Sequence, residues 1–90
     1  MKKTMVETWG ELGAIPGAAE IMPREAEVAG ELKAEGVIES IYVKEGAKGA
    51  YIICADMERA ELEARLKRLP LYPYFTKIEY TPVEAFRGEA

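Results

Sequence analysis

The sequence predicts an α+β fold in which four strands and two helices follow one another as β-α-β-β-α-β. Three observations predict it. Two helical stretches, Pro23 to Gly36 and Asp56 to Pro70, carry acids early and bases late and are bounded by proline or glycine. Short β-branched and aromatic runs lie before, between and after them. A glycine-bearing pentapeptide, Glu45-Gly46-Ala47-Lys48-Gly49, joins two of these runs as a hairpin. The 90 residues suit one domain spanning 1–90 whose core is small for its surface, so a partner subunit is an expected source of further burial.

The first strand is Thr4 to Trp9, where Met5, Glu7 and Trp9 alternate with Thr4, Val6 and Thr8. Gly10 to Gly17 reads as a loop, followed by a short helical turn over Ala18 to Met22. Pro23 suits the first position of the first helix, where its missing N–H costs nothing. Glu25 and Glu27 follow early, Lys33 comes late and Gly36 is the stop. Ala26, Val28, Ala29 and Leu32 supply the apolar side, and Gly30 is read as a close helix–sheet contact.

The second strand is Val37 to Lys44 and the third Ala50 to Ala55. Asp56 is placed to cap the second helix, in which Leu62, Leu66 and Leu69 recur at helical spacing and Glu61/Arg65 and Glu63/Lys67 form spacing-four pairs. Pro70 ends it by pushing Leu69 out of the α region. Tyr74 to Pro82 is the last strand, and 82–90 is a tail expected to fray. The order is the ferredoxin-like one, with the first and third strands central in an antiparallel sheet and both helices on one face. The third strand, Ala-Tyr-Ile-Ile-Cys-Ala, is apolar on both sides. Its second face therefore needs a cover, and another copy of the same sheet is the expected one, giving a homodimer or higher homo-oligomer.

Composition narrows the chemistry. Hydrophobic residues at 49% and charged ones at 31% place the chain among globular domains, and no apolar run approaches the ~20 residues of a membrane span. The N-terminus lacks an apolar stretch of signal-peptide length, so a cytoplasmic location is expected. Sixteen acids against twelve bases, with the bases scattered, argue against nucleic-acid binding. With one cysteine, Cys54, and no histidine, the chain has no Cys/His metal site, no haem histidine and no Ser-His or Cys-His pair. No glycine fingerprint for a nucleotide is present, and no cofactor is expected. Proton chemistry then falls to carboxylates, tyrosines, lysines and the thiol. Cys54, with no basic neighbour in sequence, reads as a small buried hydrophobe.

The segment Leu69-Pro70-Leu71-Tyr72-Pro73-Tyr74, with ELEARLKR before it and KIEYTP after, resembles the end of muconolactone delta-isomerase and its relatives, which run from a helix into an LPLFPY-type turn and a last strand. The resemblance extends back through Glu35-Gly36 and more weakly to Glu25. It implies a dimeric α+β barrel, two ferredoxin-like sheets packed face to face, each half holding a small pocket for an apolar cyclic, lactone-like compound. In that frame Pro70 stops the helix, Pro73 fixes the lead-in to the last strand, and the Leu and Tyr residues between them close the core. A PxxP ligand for an SH3-type partner is the other reading of the two prolines, and it requires an exposed segment. Two departures point away from muconolactone itself: Tyr42-Val43 stands where the family tends to carry Trp-Arg, and Leu62-Glu63 where it carries Leu-His.

A proton shift on such a compound needs a base in a pocket of low polarity, which raises a carboxyl's pKa toward neutrality. Glu7, between Met5 and Trp9 on one side of a central strand, is one candidate if Val6 faces the helices; a cross-strand lysine partner is the alternative. Glu25 is the other, by the resemblance; its alternative is an acid in the first helical turn that merely favours the dipole. Met5, Trp9, Tyr42, Tyr51, Tyr72 and Tyr74 are the expected ligand-binding residues, and no metal ligands are assigned. A non-catalytic ligand-binding or interaction module, and a cofactor-free oxygenase on the same barrel, are the competing functions.

Overall fold

The computed structural model describes residues 2–86. β1 (Lys2–Trp9), α1 (Ala18–Ala34), β2 (Ile38–Val43), β3 (Gly49–Ala55), α2 (Arg59–Leu66) and β4 (Lys77–Glu84) follow in the predicted order, with 3-10 turns over Leu12–Ala14, Glu45–Ala47 and Tyr72–Tyr74. The strands form one antiparallel sheet in the order β2-β3-β1-β4, so β1 and β3 are central.

Alternation along β1 decides which way the sheet faces. Thr4, Val6 and Thr8 are buried, while Met5, Glu7 and Trp9 are only partly so. Across the ladder Thr4, Val6 and Thr8 stand opposite Cys54, Ile52 and Ala50, which are buried too. Leu32 of α1 and Leu62 and Leu66 of α2 belong to the core formed with this row, each at 1% exposure or less. Burying a side chain of that size contributes about 1.5–3 kcal/mol. Thr8 is the polar member of the row, and its Oγ1 accepts the Ala50 N–H at 2.9 Å, so neither group is left unpaired. Among the described residues no helix lies on the opposite face. It carries Met5, Trp9, Tyr42, Tyr51 and Ile53 among the charged residues Glu7, Lys44, Lys77 and Glu79.

Several boundaries differ from the sequence reading. α1 starts at Ala18, with Pro23 inside it, because Gly17 takes a left-handed conformation (φ 74°) and its carbonyl already accepts the Glu20 and Ile21 N–H groups. The bond that Pro23 cannot donate is lost on the solvent side, since Ala19 and Pro23 are exposed. Asp56 does not cap α2. Glu58 occupies that position without a side-chain cap, and the α-helix stops at Leu66, after which Arg68 and Leu69 N–H groups bond to Arg65 and Leu66 carbonyls in a tighter turn. The pairs Glu61/Arg65 and Glu63/Lys67 form at 3.4 and 3.5 Å. Arg68 also holds both Glu35 oxygens, at 2.8 and 2.9 Å, and so ties the ends of the two helices together.

β4 begins at Lys77 rather than Tyr74, because Tyr72–Tyr74 are taken up by the 3-10 turn. It runs on to Glu84, so the first residues of the expected tail are strand, and 87–90 lie outside the described residues. Pro82 fits because β4 is an edge strand. In the turn Leu69 and Leu71 are buried and Tyr72 packs against the main core, whereas Tyr74 is 41% exposed and stays outside it. This turn packs between two regular elements, which is not how an SH3-type ligand is presented.

Two glycines behave oppositely. Gly49 has φ 141°, and a Cβ there would overlap the Thr8 carbonyl oxygen where the hairpin rejoins β1. Gly30 touches nothing: a Cβ would meet no atom within 4 Å, so it is not the close helix–sheet contact that the sequence suggested. Chemical denaturation is expected to show Gly49→Ala losing at least about 3 kcal/mol. Gly30→Ala should gain roughly 0.5–1 kcal/mol.

Candidate functional site

A cavity of about 410 Å³ lies between α1 and the helix side of β2 and β3. One helical stripe of α1 walls it, Met22, Glu25, Ala26 and Ala29, at the i, i+3, i+4, i+7 spacing that places residues on one face. Ile41 and Val43 of β2 and Ala50 and Ile52 of β3 form the floor. Leu12, Gly13, Ala47, Leu71 and Phe75, from the three 3-10 turns and their flanks, complete it. The room exists because four lining positions are alanine; larger side chains at 26, 29, 47 and 50 would fill it. The volume is within the range of small-molecule sites, ~300–1,000 Å³.

Glu25 is the one charged residue in this lining. α1 begins at Ala18, which puts Glu25 about two turns into the helix. The first-turn dipole reading therefore does not apply to it. Its Oε1 accepts the Leu71 N–H at 2.9 Å. The proline run explains why that donor is free. Pro70 has no N–H, and the Leu69, Tyr72 and Tyr74 N–H groups bond to the Leu66, Leu69 and Leu71 carbonyls. Leu71 N–H is left to point at α1. Burial among apolar walls pushes the Glu25 carboxyl above the ordinary value, opposed by the hydrogen bond from Leu71.

Glu7 stands in another environment. Val6 faces the helices, so Glu7 faces the helix-free side, away from the cavity. Lys44 Nζ lies 2.8 Å from its Oε2 and is itself 4.0 Å from the Trp9 ring centroid and 5.2 Å from that of Tyr51. The hydrogen bond from Lys44 and a further one from Tyr51 hold the Glu7 carboxyl below the ordinary range, against partial burial. Within one chain Glu7 has the cross-strand lysine partner, on the face that a second sheet would cover.

The predicted ligand-binding residues divide in the same way. Met5, Trp9, Tyr42 and Tyr51 share the helix-free face with Glu7, with Tyr42 opposite Tyr51 and Glu7 opposite Tyr51 across the strands. Tyr72 and Tyr74 sit in the 3-10 turn outside the lining. Among the described residues only Glu25 of the eight lines the cavity. The apolar walls were missed, although Met22, Glu25, Ala26 and Ala29 at helical spacing were a readable signal. Cys54 is fully buried, and burial pushes its thiol up to about 12, which fits a core residue and not a nucleophile. No cluster of three or more metal-ligating side chains occurs among the described residues, and no helix among them is long and apolar enough to cross a membrane.

Residues 15–88 match the profile of the muconolactone delta-isomerase family. Among curated proteins no relative matches significantly. One solved structure similar in fold is 5-chloro-2-hydroxyhydroquinone dehydrochlorinase from Burkholderia phenoliruptrix AC1100 in complex with 2,5-dihydroxybenzoquinone. It superposes with a TM-score of 0.68 over 100% of both chains at 13% identity.

The raised Glu25 carboxyl makes a stability prediction. A carboxyl whose pKa is raised by folding contributes stability below the unfolded value that is lost as pH rises through the folded one. Glu25→Gln keeps an acceptor for Leu71 N–H and removes the charge. Its Tm is expected to exceed that of the parent at neutral pH, with the difference vanishing below the ordinary value of 4.5. Thermal scans across that range check it.

Proposed function

The chain belongs to the muconolactone delta-isomerase family, and we propose that it binds a small, mostly apolar cyclic compound in the cavity under α1 and moves a proton on it with Glu25. One observation carries this reading: a half-buried carboxyl, oriented by a backbone N–H, stands in an otherwise apolar cavity. Such a group is a stronger base than a solvated carboxylate and can both take and return a proton.

The steps follow from what the carboxyl touches. Ionised Glu25 accepts a proton from a carbon or hydroxyl next to an unsaturated system, and the electron pair left behind moves into that system. The neutral acid so formed is the species an apolar cavity favours. Leu71 N–H holds Oε1, which leaves Oε2 for the ligand. Return of the proton to a different carbon completes an isomerisation. Loss of a chloride from the same intermediate would complete an elimination, the proton leaving Glu25 for water; the name of the dehydrochlorinase of similar fold describes that second outcome. Both begin with the same abstraction, so Glu25 serves either.

The helix-free face belongs to the same reading. Tyr42 is 64% exposed and Tyr51 39%, beside Met5, Trp9 and Ile53. A second copy laid sheet to sheet would cover this surface and form the dimeric α+β barrel, with the Glu7–Lys44 pair at the contact and both cavities outside it. The Glu7 charge then has a role in association, not in proton transfer.

Two measurements test the proposal. With a lactone or quinol substrate that is turned over, Glu25→Gln should lower kcat/KM by at least ~100-fold and Glu7→Gln by less than ~10-fold. The reverse pattern would move the base to the helix-free face. Sedimentation at micromolar concentration should find no stable monomer, whereas a folded monodisperse monomer would remove the barrel.

A further inference from the structure

The chemistry of the lining says more about the ligand than its size does. Apart from Glu25, every lining side chain is a hydrocarbon, a thioether or a glycine hydrogen. None is a lysine, arginine or histidine, and none carries a hydroxyl, an amide or an indole N–H. The backbone donor nearest the acid, Leu71 N–H, is already spent on Glu25. An anionic ligand group brought here would give up its hydration and meet no cationic or hydrogen-bond-donating side chain in return. It would also face the Glu25 carboxylate, a like charge that such surroundings do not screen.

We infer that the cavity takes a ligand without any anionic group, a neutral ring compound whose one polarised O–H or C–H faces Glu25, and that it discriminates against carboxylate- or sulfonate-bearing analogues of the same shape. This rests on the cavity being the ligand site. It deepens that reading by excluding lactone acids and phosphorylated compounds. It also limits the chemistry. No side-chain donor stands ready for a localised oxyanion, so negative charge formed on the ligand must be spread over its own conjugated system, as in a hydroxyarene or a conjugated carbonyl compound. Val43 sets the rule at the rim: it lines the cavity and is 65% exposed, so it is where a positive charge could be introduced without disturbing the core.

The test uses two fluorescent probes with the same rings. N-phenyl-1-naphthylamine is neutral, and 1-anilinonaphthalene-8-sulfonate adds one sulfonate. The parent protein is expected to bind the neutral probe at least ~10-fold more tightly at neutral pH. Val43→Arg, checked for an unchanged circular dichroism spectrum, should raise sulfonate affinity and bring the ratio below ~3-fold. Equal affinity of the two probes in the parent, still responsive to Val43→Arg, would overturn the charge rule and leave the cavity as the ligand site. If neither probe binds, or if binding ignores Val43→Arg, both readings fall.

Discussion

The register of β1 is the constraint on which the rest depends. Val6 is fully buried against the helices and Thr8 accepts the Ala50 N–H beside it, so the strand cannot slip by one residue without putting Glu7 into the core. Once Val6 and Thr8 face inward, Met5, Glu7 and Trp9 must face the other way. The molecule therefore has two carboxylates of interest on opposite sides of one sheet. Glu7 meets lysine and aromatic rings; Glu25 meets aliphatic walls. Their pKa values move in opposite directions for that reason.

The cavity is a consequence of small residues and a turn. Ala26, Ala29 and Ala50 keep α1 and the sheet from filling the space between them. The LPLYP turn contributes Leu71 twice, as a wall and as the N–H that holds Glu25. Arg68, clamped on Glu35, anchors the residues just before that turn to α1. Surface pairs of this kind contribute little to global stability. Their use here is positional: they hold the residues after α2 against the end of α1, and the Leu71–Glu25 hydrogen bond ties the following turn to the middle of α1.

Much of the fold was legible because its signals are local. Gly36, the Glu45–Gly49 hairpin and Pro70 punctuate the chain near where elements change, and the alternation of β1 separates its two faces, although which of them meets the helices is settled only by the packing. What failed depended on neighbours far along the chain. Pro23 reads as a helix start unless Gly17 has already turned the chain, and Asp56 reads as a cap unless Glu58 takes that place. Glu25 was found only through resemblance, since its setting is made by Leu71, forty-six residues away. Tyr42 and Tyr51 were candidates as strand residues with a hydroxyl to offer, and Tyr72 and Tyr74 as members of the LPLYPY turn. Two of them pair across β2 and β3 on the helix-free face and two sit in the turn, while Ala26 and Ala29, read only as the apolar side of the helix, line the cavity.

Environment, acting on two otherwise ordinary glutamates, sets an ion-paired carboxylate on one side of the sheet apart from a half-buried carboxyl on the other. Carboxyl-carbon NMR of the labelled protein, titrated without any ligand, measures this directly. Glu25 is expected to titrate above the ordinary value of 4.5 and Glu7 below it. Glu25 titrating at or below that value, or the two residues in the opposite order, would contradict the account.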